Sequence, residues 1–184
     1  SSDLINAKDR AGHTMETVTR NFRIDTEDPS INYKDFTTSY LNCKVYKNNN
    51  TTIKVGTSSD SDIEISDNLT DDCVLKYTIY SDNGTMLIPS TIIDNNYINL
   101  NTLANGRYRL EITATDNAGN ESSAQYGYFI IDNQSPVVNI NGLSNNNESK
   151  ELFNNPFDLS VSISDLDINN AKVTLKTPNG DLIV

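Results

Sequence analysis

This chain repeats itself. The segment DRAGHTMETVTRNFRIDTEDPSI (9–31) returns as DNAGNESSAQYGYFIIDNQSPVV (116–138). Asp9 matches Asp116, Gly12 matches Gly119, Phe22 matches Phe129, Ile24–Asp25 matches Ile131–Asp132 and Pro29 matches Pro136, each 107 residues on without a gap. Further along, TTIKVGTSS (51–59) pairs with FDLSVSISD (157–165) at an offset of 106, and LKYTIYSDNGTMLI (75–88) with AKVTLKTPNGDLIV (171–184) at 96. The drop in offset predicts about ten extra residues in the central copy near 58–72. The organisation that follows is the end of one repeat (1–25), one complete repeat (26–132) and the first half of a third (133–184). The linkers DTEDP and DNQSP end in proline, which fixes φ and keeps the preceding residue extended, so the joints are expected to be stiff.

Apolar residues inside the repeat recur with period two. Tyr108, Leu110, Ile112 and Ala114 alternate with Arg107, Arg109, Glu111 and Thr113; Leu75, Tyr77 and Ile79 alternate with Lys76 and Thr78. That is the signature of half-buried strands. Turn signals at Asn48–Asn50, Asn83–Gly84, Asn95–Asn96, Asn105–Gly106 and Asn117–Asn120 separate the runs. With 18 Asp against 7 Glu, and 27 Asn, the polar residues favour turns over helices. Short strands at this spacing over about 100 residues predict an all-β fold, an antiparallel β-sandwich. The net charge of −11 argues against nucleic acid, which requires a basic face, and against anionic membranes. No apolar run reaches membrane-spanning length, so no membrane insertion is expected.

The run LxxGxYxLxIxAxDNAGN (103–120), followed by IDxxxP (131–136), resembles the bacterial immunoglobulin-like repeats of secreted and cell-surface proteins. The resemblance implies an immunoglobulin-like sandwich in tandem, an extracellular setting at the bacterial surface or in secretion, and neighbouring repeats as partners. It also implies that Tyr108 occupies a tyrosine corner, its hydroxyl bonding backbone near Leu103. The first copy departs from the pattern, because His13 stands where the motif ends in Asn.

Catalytic machinery is not expected. His13 is the one histidine and falls in a turn. No phosphate loop, dinucleotide fingerprint or nucleophile elbow is present. Cys43 and Cys73 leave two alternatives, a disulfide suited to an oxidising exterior or two separate buried thiols. Lys34 or Lys44 would be the amine of a Lys–Asn isopeptide bond of the kind some surface sandwiches carry, although no partner is marked locally. Tyr126 and Tyr128 share one parity on the last strand, opposite Phe129 and Ile131, and form a candidate solvent-facing patch for a host glycan or protein. The expected function is a non-catalytic stalk or spacer in adhesion. The alternatives are a glycan- or host-protein-binding module, or an accessory domain of a secreted hydrolase.

Calcium at the joint is the remaining expectation. In an immunoglobulin-like sandwich the first strand begins at the end where two of the loops also lie. Here that end would gather Asp25 and Asp28 from the linker, Asp116 from the DNAGN turn, and Asp60, Asp62, Glu64, Asp67, Asp71 and Asp72 from the loop 58–72, with no base among those six. Crowded carboxylates suit Ca²⁺, which takes about six to eight oxygens in flexible geometry. The resembled family places Ca²⁺ between domains with acids at the linker and the AxDxAGN turn, which makes Asp25 and Asp116 the leading candidates and Asp28, Asp60, Asp62 and Asp67 their companions. The competing view is that these residues cap turns and solvate loops.

Overall fold

The computed structural model describes residues 2–5, 7–47, 51–69, 72–142, 158–168 and 170–174; the Asn48–Asn50 turn and Asp71 lie outside the described residues. The described residues form strands, turns and loops, with no helix long and apolar enough to cross a membrane. A hairpin of β1 (Ser2–Ile5) and β2 (Val18–Asn21) comes first. The central body follows: β3 (Ser30–Tyr33), β4 (Lys44–Tyr46), β5 (Thr52–Gly56), β6 (Ile63–Ser66), β7 (Val74–Ser81), β8 (Met86–Ile92), β9 (Tyr97–Asn99), β10 (Gly106–Thr115) and β11 (Gln125–Ile131). A last pair, β12 (Val137–Asn141) and β13 (Ser160–Ser164), ends the described architecture.

The central strands make two sheets, in the orders β4-β11-β10-β7-β8 and β3-β6-β5-β9. The fold is therefore all-β and sandwich-like. It is not purely antiparallel, as the alternation alone suggested. Residues 34–43 carry the chain between sheets, and β4 then runs parallel to β11. β5 and β6 are also parallel, because residues 57–62 loop out and return beside β5. The Asp62 N–H donates to the Lys54 carbonyl at 2.9 Å, and Asp62 Oδ2 accepts the Lys54 N–H at 2.9 Å, closing that loop.

The core lies between the two sheets. Tyr108, Leu110, Ile112 and Ala114 of β10 point inward as their alternation predicts, against Ile53, Val55, Ile63, Ile65, Ile98 and Leu100 of the facing sheet. Each such aliphatic side chain removed from water contributes about 1.5–3 kcal/mol. The Tyr108 hydroxyl donates to the Ala104 carbonyl at 2.7 Å, beside Leu103, which pins the start of β10 as the tyrosine-corner expectation required. β11 passes so close to the first crossing that only glycine fits at 127. A Cβ there would sit 2.6 Å from Phe36 Cβ and 2.8 Å from Tyr33 Cδ1. Tyr33 is fixed in turn by donating its hydroxyl to the Gln125 carbonyl at 2.7 Å.

β6 corrects the expectation of one inserted loop over 58–72. Ile63 and Ile65 alternate with Glu64 and Ser66, both isoleucines are buried, and Ser30↔Ser66 through Tyr33↔Ile63 pair β3 with β6. β12 and β13 pair in the same way: Val137↔Ser164 stands where Ser30↔Ser66 does, and Ile140↔Val161 where Tyr33↔Ile63 does. β13 thus corresponds to β6, Ser164 standing for Ser66, which corrects the alignment of 157–165 with 51–59, and the sequence Ile65–Ser66–Asp67 returns as Ile163–Ser164–Asp165. The first hairpin matches β10–β11 equally closely. Ser2↔Asn21 and Ile5↔Val18 reappear 107 residues later as Arg109↔Tyr128 and Ile112↔Gln125. The isolated bridge Lys8↔Thr14 likewise reappears as Thr115↔Glu121.

Candidate functional site

β10 runs out at Thr115, and the chain reverses through Asp116–Asn120. The reversal is organised by a single side chain. Asp116 Oδ1 accepts the backbone N–H groups of Ala118 (2.8 Å), Gly119 (2.7 Å) and Asn120 (2.9 Å), and Oδ2 accepts the Asn120 side-chain amide at 2.8 Å. Gly119 sits at φ +95°, a left-handed conformation that glycine adopts without strain. Asp116 is 6% exposed. Its burial opposes ionisation, but the Asn120 amide and the three N–H groups outweigh that, so the carboxyl titrates below the usual aspartate range.

Two other segments bring carboxylates to this turn. Asp67 follows directly from β6 and accepts the Leu69 N–H at 3.1 Å; Asp25 lies in the linker before β3 and accepts the Glu27 N–H at 3.2 Å. One carboxylate oxygen from each of Asp25, Asp67 and Asp116 lies within 4.8 Å of the others. The pairing of β3 with β6 sets this meeting, since Ser30 and Ser66 stand opposite each other and the linker and Asp67 leave from that same end. Three hard anionic oxygens on three separate segments are a donor set suited to Ca²⁺, which completes its shell with water and carbonyl oxygens.

Asp60 and Asp62 are not in this cluster. Lys54 Nζ reaches Asp60 Oδ2 at 2.5 Å, and Ser58 donates to the same carboxylate; the Lys54 contact first and the Ser58 contact second hold Asp60 down to about 2. Asp62 is clasped by Lys44 Nζ and by the Lys54 N–H. Glu64 meets Lys34 at 3.4 Å. The acid-rich stretch therefore has bases after all, delivered from neighbouring strands. Asp28 is exposed and Asp72 likewise, outside the three-carboxylate group. The nitrogens of Lys34 and Lys44, the isopeptide candidates, both sit in ion pairs with carboxylates.

The turn geometry recurs at the first copy. The His13 N–H donates to Asp9 Oδ1 at 2.8 Å and His13 Nδ1 contacts Asp9 Oδ2 at 2.8 Å, with Gly12 at φ +94°. His13 thus takes the structural place of Asn120, with its side chain exposed. The second joint repeats part of the acidic group, which the sequence did not single out. Asp132 stands 107 residues after Asp25, and Asp165 ends β13 as Asp67 ends β6. The Gln134 N–H favours the charged form of Asp132, but burial and the hydrogen bond and charge of Asp165 outweigh it and raise its carboxyl. Asp165 is lowered, by the Asp167 N–H and by that same shared bond.

Cys43 is buried and Cys73 partly buried, and no disulfide joins them. Tyr126 and Tyr128 stand on the outer face of the five-stranded sheet, their rings 6.2 Å apart and edge to face. Tyr126 is 47% exposed. No protein-family model matches the chain, and no curated protein matches it.

Proposed function

We propose that this chain is a non-catalytic segment of tandem immunoglobulin-like repeats from a bacterial cell-surface or secreted protein, acting as a stalk or spacer in adhesion. The observation that carries the proposal is the shared register. The ends of the chain reproduce, strand pair for strand pair, the closing hairpin and the opening pair of the central body. The arrangement supports an immunoglobulin-like unit in three respects: two facing sheets, a short β4 parallel to the last strand, and the Tyr108 hydroxyl on the Ala104 carbonyl. Repetition at short, proline-tipped joints lengthens a rod by one unit at a time. A net charge of −11 keeps such rods soluble and apart.

Calcium belongs to the same proposal. Asp25, Asp67 and Asp116 would hold the ion, tying the linker to two loops of the following sandwich and so fixing the angle of the joint. The ion would neutralise carboxylates that otherwise repel one another. Support comes from the partial recurrence at Asp132 and Asp165, where the next joint begins. The function is tested by joining two, four and six copies of residues 26–132 and measuring contour length by electron microscopy. Length that grows linearly with copy number supports the spacer; globular clusters of constant diameter refute it.

A further inference from the structure

The outer face of the five-stranded sheet carries a row of side chains that the spacer role does not use. Register places Met86 opposite Tyr80, Tyr80 opposite Arg109, and Arg109 opposite Tyr128, so one residue from each of four adjacent strands lines up across the sheet. At sheet spacing the row is about 15 Å long. Tyr126 lies one step along, opposite Glu111. Tyr40 closes the far end, its ring 4.5 Å from that of Tyr128.

Arg109 is the centre of the row. Its guanidinium lies 4.3 Å from the centre of the Tyr80 ring and 5.9 Å from that of Tyr126. Stacking holds the planar fork still while leaving its edges as donors. The nearest acid, Glu111, is 3.9 Å away, beyond hydrogen-bond distance, and Arg109 Nε is buried with no hydrogen-bond partner. Arg107 lies 5.9 Å from the Tyr40 ring. Lys76 projects on the same parity, opposite Thr113. Among the described residues, Arg107, Arg109 and Lys76 thus project from this face beside Glu111 and, next to Tyr40, Asp82, with Arg107 also donating to the Leu166 carbonyl at 3.0 Å.

We infer that this face, centred on Arg109 between Tyr80, Tyr126 and Tyr128, docks a protein partner that presents carboxylates. Tyr, Arg and Met are the residues enriched in the cores of protein interfaces, where Tyr and Arg dominate binding energy. The guanidinium fork recognises carboxylate in a bidentate manner. Small molecules and cofactors seat in concave sites, whereas this row lies on a sheet face. Hollows open at its margin, one lined by Ser81, Asp82, Asn105 and Arg107 and another by Tyr40, Cys43, Arg107 and Ile130. A second copy is disfavoured by the mutual repulsion of chains that each carry −11.

The test is isothermal titration of the full chain with poly-L-glutamate of about 15 residues, with polygalacturonate and poly-L-lysine as parallel probes. Saturable binding of poly-L-glutamate is expected, weakened about tenfold or more by Arg109→Gln and by Tyr126→Ala, with Arg109→Lys intermediate and Lys172→Gln, outside the row, unchanged. Tyr126 is 47% exposed, so its variant keeps the test open even where an arginine variant fails to fold. Polygalacturonate binding as tight as, or tighter than, poly-L-glutamate makes the face a carbohydrate or generic carboxylate site and overturns the inference. So does the absence of saturable binding, an equal loss in Lys172→Gln, or sedimentation showing that the same substitutions abolish self-association.

Discussion

Replacing Asp116 separates what its carboxylate does for the turn from what it does for a cation. In Asp116→Ala, three backbone N–H groups and the Asn120 amide lose their acceptor at once. Hydrogen bonds to a charged group contribute about 1.5–3 kcal/mol each, and a plain sum would exceed the about 4–5 kcal/mol reached by the most damaging point substitutions. The sum overcounts, because Ala118 and Gly119 are exposed and water replaces part of what is lost. A net cost of about 2–3 kcal/mol is expected, on the order of 10–20 °C in Tm for a domain of about 100 residues. Asp116→Asn keeps an oxygen for the three N–H groups and asks only that Asn120 turn its amide over, so its cost without metal is about 1 kcal/mol. Toward Ca²⁺ the two variants behave alike. If the proposed site holds the ion, wild type is expected to gain about 2.7 kcal/mol at a hundredfold excess over its Kd and to lose it in EDTA, and neither variant is expected to respond. Differential scanning calorimetry of the full chain, which keeps Asp25, with and without millimolar Ca²⁺ reads both effects. A wild-type-sized calcium response in Asp116→Asn removes Asp116 from the cation site, and an Asp116→Ala cost below about 0.5 kcal/mol, the range of ordinary surface substitutions, refutes the argument for the turn.

Gly127→Ala forces a methyl against Phe36 Cβ and Tyr33 Cδ1, and urea unfolding is expected to show about 1–3 kcal/mol of destabilisation; an unchanged midpoint contradicts the close approach. Tyr108→Phe removes the hydroxyl donated to Ala104 and is expected to cost about 1 kcal/mol in the same assay; a neutral result means that bond does not pin β10. Asp116 and Asp60 both titrate below the ordinary aspartate value of 3.8 in the folded protein. Their stabilisation is therefore complete above that value and is lost as pH falls through the depressed folded values. Urea midpoints should hold from neutral pH down to about 4 and drop below it, and a midpoint that rises on acidification reverses the assigned sign.

The alternation of β10 was legible because it is local: a strand with one wet face writes its burial directly into every second residue. The DNAGN turn was legible for the same reason, since Asp116 and the donors it accepts lie within five residues. β6 was obscured by its acids. Ile63 and Ile65 carry the strand signal, but the density of Asp and Glu around them suggested a loop. Register, which no local pattern specifies, decided which acids matter. It brought Lys44 to Asp62 and Lys54 to Asp60, and it left Asp67 beside Asp25 and Asp116. The aromatic row was half visible: Tyr126 and Tyr128 follow from parity, whereas Tyr40, Tyr80 and Arg109 join them only through cross-strand pairing.

Small-angle X-ray scattering of the full chain in Ca²⁺ and in EDTA tests the central claim most directly. A series of repeats held by metal-fixed joints predicts an elongated particle whose maximum dimension is sharply defined in Ca²⁺. In EDTA the repeats remain folded while the distribution of distances broadens. A compact particle, with a profile that is the same in both conditions, contradicts the account.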